Sequence, residues 1–248
     1  MSALALAGKR ILVTRPRELA QGLAALIARA GGEPVLYPGL EIRDPEDAGA
    51  ARAALARLEA FDLAVFVSPS AVRKALELRG APWPAPVRAA ALGAGTRREL
   101  EARGVRTIIA PEDGADSEAL LALPALQQVA GARVLILRGA GGRELLAETL
   151  AARGAQVSVV ECYRRARPAA PGAAPTGALD AACANSGETL DNLVALLGLA
   201  RLRDTALFVP HERVAQRARD MGFAVVEVAG PGDAQMLARL LAYFGGAK

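Results

Sequence analysis

Apolar and polar residues along the chain form blocks that predict a strand, a helix and a second strand in turn. Residues 10–14 are a short apolar run typical of a buried strand, and residues 18–30 carry apolar side chains at helical spacing. Gly31 and Gly32 close that helix, as glycine commonly does just after a helix, and residues 33–37 form the next apolar run. The pattern predicts a βαβ unit with parallel strands.

The same βαβ pattern begins again at Arg133. There the apolar run 133–138 is followed by a predicted helix at 144–153, by Gly154 and by another strand. The remaining segments match in pairs: 61–70 with 179–188, 90–104 with 207–222, 106–110 with 224–228, and the predicted last helices 117–123 with 234–243. Two repeats of about 120 residues predict two α/β domains of the same fold, each an open parallel sheet with helices on both faces, as in flavodoxin.

Residues 157–165, with the sequence Val-Ser-Val-Val-Glu-Cys-Tyr-Arg-Arg, predict a buried strand that delivers a tyrosine at its end. Two arginines and the Pro/Ala/Gly-rich segment 166–177 follow it, so the chain is expected to leave its domain there. Ligands of parallel α/β sheets bind at the carboxyl ends of strands, which makes Tyr163 the first candidate for chemistry. The alternative interpretation is an aromatic ring that closes the core at a domain edge.

Small polar residues, glycines and arginines recur where a predicted strand ends and a helix begins. A helix N-terminus has unsatisfied N–H groups and a partial positive charge, so several of them together suit a ligand with many carboxylates. Helix capping is the alternative at each single position, and Asp116 and Ser117 are expected to be caps only. The candidate ligand-binding residues are Arg15, Ser68, Ser70, Thr96, Arg138, Gly139, Ser186, Gly187, His211 and Arg213.

Composition and charge narrow the function classes. The 248 residues are 52% hydrophobic, and the net charge is +4. Nearly all the positive charge is arginine, which binds carboxylates bidentately, since Lys9, Lys74 and Lys248 are the only lysines. The arginines alternate with glutamates and form no basic block, so no nucleic-acid partner is predicted. No apolar run approaches the roughly 18 residues of a membrane span and residues 1–7 do not resemble a secretory signal, so a cytoplasmic protein without a membrane partner is expected.

Neither a metal nor an organic cofactor is predicted. Cys162 and Cys183 stand alone in strand-like runs and His211 is the only histidine, so a metal cluster or a redox pair lacks its ligands. The glycines at 139, 141 and 142 imply a close approach of the backbone to another group. Their spacing is not that of a dinucleotide-binding loop, and the chain has no P-loop. A nucleotide-dependent enzyme is a further alternative, which a nucleotide thermal-shift screen would detect.

Short motifs spread over almost the whole chain resemble the uroporphyrinogen-III synthase family. The order and spacing of these motifs, rather than any single one, carry the resemblance. They are Val13-Thr14-Arg15-Pro16, Phe66-Val67-Ser68-Pro69-Ser70-Ala71-Val72, Leu92-Gly93-Ala94-Gly95-Thr96, Ser117-Glu118-Ala119-Leu120-Leu121, Leu135-Ile136-Leu137-Arg138-Gly139, Cys162-Tyr163-Arg164-Arg165, Ser186-Gly187-Glu188-Thr189-Leu190 and Gly222-Phe223.

The resemblance implies two flavodoxin-like parallel-sheet domains joined by a two-stranded linker, with the active site in the cleft. It also implies that the N-terminal unit is swapped into the C-terminal domain. The first domain is then expected to contain 1–38 and 168–248, the second 44–161, and the linker strands 39–43 and 162–167.

The implied activity is that of a lyase, which closes linear hydroxymethylbilane to uroporphyrinogen III with loss of water and inversion of the last pyrrole ring, without metal or cofactor. The resemblance assigns the key hydroxyl to Tyr163, whose phenol stays protonated at neutral pH and can donate to the departing hydroxyl. Thr96 matches a family threonine in the cleft. His211 stands where relatives usually have Ser or Thr, and this departure leaves its role open.

The expected partner is the small-molecule substrate, a polycarboxylate. The protein is expected to be a monomer, and a transient contact with hydroxymethylbilane synthase, the deaminase that supplies the substrate, is a hypothesis. The alternative function is a non-catalytic two-domain binder of a small anionic ligand. Tyr163 discriminates between the two, because a binder has no need of a phenol at that position.

Overall fold

The computed structural model describes residues 5–114, 116–169 and 172–246. The first expected domain was taken to begin at residue 1 and to end at Lys248, and both residues lie outside the described ranges. The chain divides into two units: one contains the chain up to Glu41 and again from Ala166 onward, and the other contains Ile42–Arg165.

Strands and helices alternate along both units. In chain order, the strands are β1 (Arg10–Val13), β2 (Glu33–Leu36), β3 (Glu41–Arg43), β4 (Leu63–Phe66), β5 (Arg88–Ala91), β6 (Ile108–Ile109), β7 (Arg133–Gly139), β8 (Gln156–Ala166), β9 (Ala181–Cys183), β10 (Ala206–Val209) and β11 (Val226–Val228). The α-helices are α1 (Arg17–Arg29), α2 (Ala48–Ala56), α3 (Pro69–Arg79), α4 (Ala94–Ala102), α5 (Ser117–Leu121), α6 (Pro124–Gln127), α7 (Leu145–Ala152), α8 (Gly187–Leu197), α9 (Leu199–Leu202), α10 (Glu212–Met221) and α11 (Asp233–Gly245). A short 3-10 helix spans Leu58–Ala60.

The sheet of the first unit has the strand order β11-β10-β9-β1-β2, with parallel pairing. Numbered within the unit, this is the order 2-1-3-4-5 of flavodoxin-like sheets. Alternate residues of each strand enter opposite layers of the core: Leu12 and Leu207 pack on one face, while Ile11 and Phe208 pack on the other. Both faces are therefore covered by helices, which explains why the strands are short continuous apolar runs.

The sheet of the second unit has the order β3-β8-β7-β4-β5-β6. Apart from β3, the order is again 2-1-3-4-5, with β7 and β8 in the places that β1 and β2 hold in the first unit. The pairs β7–β8, β4–β7, β4–β5 and β5–β6 are parallel. The second unit is therefore the same fold with its first βαβ segment placed last along the chain.

The fold-class prediction is confirmed: two parallel-sheet α/β units are formed, and the N-terminal β1–α1–β2 segment joins β9, β10 and β11. The chain passes from one unit to the other at the start of β3 and at the end of β8, and these two strands are neighbours in the second sheet. The finer limits of the linker, 39–43 and 162–167, stay a prediction.

Strand β8 differs from its prediction. It was expected to be a buried core strand ending at Tyr163, but it runs on to Ala166, and Val160, Cys162 and Tyr163 are its buried residues. The reason is its place in the sheet, because beyond β8 lies only the three-residue β3. Val159, for example, is exposed.

A register shift next to Tyr163 explains why two consecutive residues of β8 are buried. Arg138 of β7 lies opposite Glu161, but the next residue, Gly139, lies opposite Tyr163, so Cys162 is an extra residue. Such a bulge breaks the alternation of a strand and re-aims a side chain. As a result, both Cys162 and Tyr163 point into the core.

Two of the expected absences can be compared with the described residues. Within 5–114, 116–169 and 172–246, no helix combines the length and apolar character needed to cross a membrane. The same residues contain no cluster of His, Cys, Asp and Glu that could hold a metal ion.

Candidate active site

Tyr163 lies at the carboxyl end of the second sheet, with its ring in the core and its hydroxyl against a polar neighbour. The phenol oxygen is 3.0 Å from Ser68 Oγ. The ring lies directly on Gly139 of the adjacent strand: a Cβ at that position would be 2.5 Å from Tyr163 Cζ. Only 5% of the tyrosine is exposed. The interpretation as a core aromatic therefore accounts for the ring, but it leaves the polar contact of the hydroxyl to be explained.

Ser68 owes its position to the turn from β4 into α3. The strand is fully buried, the backbone of Ser68 is extended, and Pro69 occupies the first helical position, where its missing N–H costs nothing. Ser68 Oγ accepts a hydrogen bond from Ala71 N at 3.1 Å and so caps the helix. Because this oxygen has one hydrogen of its own, it can also donate to the phenol oxygen, which directs the phenol hydrogen to another acceptor.

The other two candidates near this serine are buried in the first turns of neighbouring helices. Ser70 is in α3 and Thr96 is in α4, which begins after Gly93. Both side chains are almost fully covered. Their predicted part in ligand binding stays a prediction.

The glycines at the end of β7 and directly after it make room for side chains of the protein itself. A Cβ at Gly139 would collide with Tyr163, and one at Gly142 would lie 2.9 Å from Arg138 Cδ. Gly141 has a φ of +73°, a backbone conformation that favours glycine. The close backbone approach inferred from the sequence is present, and at positions 139 and 142 the approaching groups are the tyrosine ring and the arginine stem.

Arg138 is held in a local network at the end of β7. Its Nη1 donates to the carbonyl oxygens of Gly142 and Arg143, and its Nη2 lies 2.7 Å from Glu144 and 3.7 Å from Glu161. Its Nε is buried and has no hydrogen-bond partner. The arginine is thus only partly satisfied in this structure.

The two cysteines are inert parts of the cores. Cys162 Sγ lies 3.2 Å from the carbonyl oxygen of Arg138, and burial raises its pKa to about 12. Burial likewise raises the pKa of Cys183 to about 12. Both thiols are therefore neutral at physiological pH, as expected for small buried hydrophobic residues.

In the first unit, Arg15 forms an ion pair instead of standing open to a ligand. Its Nη1 lies 2.8 Å from Oδ1 of Asp233, the first residue of α11. The neighbouring Thr14 Oγ1 donates to the carbonyl oxygen of Cys183 at 2.6 Å. An acid in the first turn of a helix, such as Asp233, is a feature that a sequence pattern can indicate, but the pattern does not indicate its partner.

A surface pocket of about 530 Å³ lies between α8 and α10 of the first unit. Its lining residues are Ser186, Gly187, Glu188, Asp191, Asn192, Arg213, Val214 and Arg217. Ser186 caps α8 by accepting from Thr189 N at 3.1 Å. Arg217 is engaged with Asp191 through two contacts of 2.7 Å, whereas Arg213 forms no ion pair within the part of the chain that the structure describes. The pocket therefore combines a helix N-terminus with an exposed guanidinium.

His211 occupies the N-cap position of α10, but its side chain makes no capping hydrogen bond. Asp116 does cap its helix, accepting from Ala119 N at 2.8 Å. Ser117 is not a cap, contrary to the prediction, because it is the first residue of α5 and is buried.

Comparison with known proteins decides the family. A family model described as uroporphyrinogen-III synthase HemD matches residues 21–238. The chain belongs to the uroporphyrinogen-III synthase family. The family prediction is thereby confirmed.

Two relatives resemble the chain over nearly its whole length. The uroporphyrinogen-III synthase of Salmonella typhimurium is 37% identical over 246 residues, covering 93% of this chain and 99% of the relative. The uroporphyrinogen-III synthase of Escherichia coli is 35% identical over 243 residues, with the same coverage.

Solved structures of uroporphyrinogen-III synthases share the fold. A mutant enzyme from the extremely thermophilic bacterium Thermus thermophilus has a TM-score of 0.58 and 19% identity, covering 97% of this chain and 100% of that one. The enzyme from Helicobacter pylori has a TM-score of 0.63 and 13% identity, covering 95% and 99%. At these identities, the likeness supports the two-unit α/β fold alone.

The predicted site residues of this synthase-family chain fall into separate groups. In the second unit, Ser68, Gly139 and Tyr163 meet, and Arg138 lies beside them along β7. In the first unit, Ser186, Gly187 and Arg213 share a pocket, while Arg15 is bound to Asp233. Sequence analysis missed Arg217 and Asn192 as lining residues, because a solvated helix face and a pocket wall have the same polar pattern.

Proposed function

We propose that the chain closes hydroxymethylbilane to uroporphyrinogen III, with loss of water and inversion of the last pyrrole ring, in tetrapyrrole biosynthesis. The observation that carries this proposal is the phenol of Tyr163, fixed by Ser68 at 3.0 Å and by the surface of Gly139. Ligands of parallel α/β sheets bind at the carboxyl ends of strands, so a phenol at this end can donate a hydrogen bond to one, which supports the proposal.

The internal repeat supports the special role of this tyrosine. Counted from the matching strand starts, Gln156 and Glu33, the position of Tyr163 corresponds to Leu40 in the first unit, or to Gly39 when the extra residue Cys162 is left out of the count, and neither is a tyrosine. Ser186, the counterpart of Ser68, caps its helix in the same way but has its hydroxyl 2.9 Å from Thr189 Oγ1. The fold therefore does not require a phenol at this place, since the first unit forms without one.

The proposed chemical step begins with loss of the substrate's terminal hydroxyl. Tyr163 passes its proton to that hydroxyl as the C–O bond breaks with both electrons on oxygen, so water departs and the phenolate of Tyr163 remains. The resulting azafulvene cation is attacked by a carbon of the last pyrrole ring to give a spiro intermediate. The bond from that carbon to its original methylene bridge then breaks, the ring closes on its other side, and the proton that the closed ring loses restores the phenol; the bound conformation directs this outcome.

The eight carboxylates of the substrate explain the need for cations and helix N-termini. We propose Arg213 with the amides of Ser186 and Gly187 as one carboxylate contact, because they border one pocket and the guanidinium has no ionic partner among the described residues. The exposed His211 is a further donor in the same unit. Ser70 and Thr96 stay predicted ligand-binding residues, although both are buried. Arg15, predicted to bind the ligand as well, is paired with Asp233 in this structure.

Product identity tests the proposal. Hydroxymethylbilane is generated in situ, the protein is added, and the type I and type III uroporphyrins are separated after oxidation. An excess of type III is expected. Type I alone, the spontaneous product, would leave a two-unit binder of an anionic ligand and would refute the enzymatic function.

The role of Tyr163 is tested by Tyr163→Phe, with Tyr37→Phe as the matched control. Tyr37 is a buried tyrosine of the first unit that belongs to none of the groups above. Loss of a general acid typically costs 10² to 10⁴ in rate, so we expect kcat to fall about 100-fold for Tyr163→Phe and to stay unchanged for Tyr37→Phe. Equal kcat values in the two variants would remove the catalytic assignment.

A further inference from the structure

The two units place an arginine at the same point of the repeat, and this pair points to a ligand site. Arg15 follows β1 and Arg138 lies near the end of β7, at equal distances from the matching strand starts Arg10 and Arg133. In the first unit the arginine meets a carboxylate of the protein, Asp233, at 2.8 Å. That carboxylate packs closely on α1, since a Cβ at Gly22 would lie 2.5 Å from Asp233 Oδ2.

In the second unit the position of this carboxylate is taken by a different residue. The helix that corresponds to α11 is α5, and its first residue is Ser117 instead of an aspartate. The helix that corresponds to α1 is α7, which contributes Leu146 and Ala147 to a pocket of about 160 Å³. The pocket is also lined by Val67, Leu92, Ser117, Ile136, Arg138, Gly142 and Arg143.

Arg138 is the unsatisfied group of this pocket. Its Nε is buried without a hydrogen-bond partner, and buried N–H groups of this kind are rare. Its strongest ionic contact is with Glu144, a side chain that is 55% exposed. Ion pairs of such exposed groups contribute little, so a better-placed carboxylate can replace Glu144.

We propose that this pocket binds a carboxylate of the ligand, in the place that Asp233 fills in the first unit. Arg138 would hold the carboxylate through its guanidinium, in exchange for the exposed Glu144, and Ser117 would supply a hydroxyl donor. The apolar wall would cover the methylene groups of a short carboxyalkyl arm. A volume of about 160 Å³ is well below the roughly 300 to 1,000 Å³ of pockets that enclose whole ligands, so one arm enters and not a pyrrole ring.

The identity of the ligand rests on the proposed function, in which the arm belongs to hydroxymethylbilane. The test fills the pocket with the protein's own carboxylate, by Ser117→Asp, which copies the Arg15–Asp233 pair. Because the new aspartate can pair with Arg138 and stands in the first turn of a helix, we expect a melting temperature equal to or above that of the wild type. A loss of activity would then not reflect unfolding.

Ser117→Asp is expected to raise KM for hydroxymethylbilane about tenfold, the size of one lost charge-assisted hydrogen bond, with a smaller effect on kcat. Ala50→Asp is the matched control. It adds the same charge in the first turn of α2 in the same unit, at an exposed position outside the pocket, and is expected to keep the wild-type KM. A wild-type KM in Ser117→Asp would overturn the proposal.

A binding measurement without turnover separates this proposal from the proposed function. Thermal unfolding is followed in sodium propionate, in sodium chloride of equal ionic strength, and with neutral propionamide. Propionate is expected to raise the melting temperature of the wild type more than chloride or propionamide does, and to have no such effect on Ser117→Asp. If propionate has this effect but only type I product forms, the carboxylate pocket is supported and the synthase function is refuted. If type III product forms but propionate has no such effect, the pocket proposal is refuted and the synthase function is supported.

Discussion

Ser68 has two tasks, and the substitution Ser68→Ala separates them from the phenol itself. The hydroxyl oxygen accepts from Ala71 N at 3.1 Å and meets the Tyr163 hydroxyl at 3.0 Å. Removing it leaves the phenol in place but without the neighbour that fixes its direction. We therefore expect a protein that still contains the proposed general acid, Tyr163, but holds its hydroxyl in a less defined position.

The expected loss of stability in Ser68→Ala follows from the two contacts of the Ser68 hydroxyl. Loss of an N-cap costs about 1 kcal/mol, and loss of a hydrogen bond to a neutral partner costs about 1 kcal/mol more. Asp47→Ala is the matched control, because Asp47 caps α2 of the same unit through Ala50 N at 2.7 Å and touches no candidate site residue. We expect Ser68→Ala to lose about twice as much stability as Asp47→Ala. In rate, a poorly directed donor costs about tenfold in kcat, less than removal of the phenol.

The assay measures kcat from type III product and the melting temperature of both variants. Ser68→Thr supplies a rescue, because threonine is also a good N-cap and keeps a hydroxyl, so we expect most of kcat to return. Wild-type kcat in Ser68→Ala, together with a stability loss equal to that of Asp47→Ala, would show that Ser68 is a cap and nothing more. In that case, the argument that links the serine to the phenol would fail.

The remaining predictions concern Gly139, on which the Tyr163 ring packs, and the two buried cysteines. Gly139→Ala would place a Cβ 2.5 Å from Tyr163 Cζ, so we expect kcat to fall at least tenfold. Gly95→Ala is the control, because the nearest contact of its Cβ would be at 3.7 Å, and it is expected to leave kcat unchanged. Steady-state kinetics measure both variants, and equal kcat values would contradict the reasoning. Burial raises the pKa values of Cys162 and Cys183 to about 12, so only about 10⁻⁴ of each thiol is ionised at pH 8. Iodoacetamide is therefore expected to label them only after denaturation. Mass spectrometry of the native protein checks this, and rapid labelling of the native protein would contradict it.

The repeat could be predicted from the sequence because its signals are local. Short apolar runs, a glycine after a helix and a serine at a strand–helix junction each depend on a few neighbouring residues. Ser68 and Ser186 were found in this way, and both cap their helices with a distance of 3.1 Å. The swap of the N-terminal segment, by contrast, came from family resemblance, because periodicity does not say which strands become neighbours.

Contacts between distant parts of the chain could not be predicted in the same way. The bulge that buries Tyr163 depends on the pairing of β7 with β8, and no pattern within β8 shows it. The partner of Arg15 lies more than two hundred residues away along the chain, at Asp233. An arginine at a strand end therefore has the same appearance in the sequence whether it meets a ligand or an acid of its own protein.

The internal repeat allows one unit to act as the control for the other. Asp62 accepts from Arg133 N at 2.8 Å in the second unit, and Asp180 accepts from Arg10 N at 2.9 Å in the first. A contact that both units make serves the fold, and a contact that one unit makes alone needs another explanation. By this criterion the two aspartates are structural, and so is the capping hydrogen bond that Ser68 accepts from Ala71 N.

Two features of the second unit fail that criterion of shared use, and both lie near the end of β7. One is the phenol of Tyr163, which has no counterpart in the first unit; the other is the pocket beside Arg138, where the first unit has a carboxylate. Since the first unit folds without either feature, stability does not require them. The proposed function gives a reason for both, because a hydrogen-bond donor and a cationic pocket are what a carboxylate-bearing substrate with a departing hydroxyl needs. The second unit is therefore the half of the chain in which substitutions should separate activity from stability most cleanly.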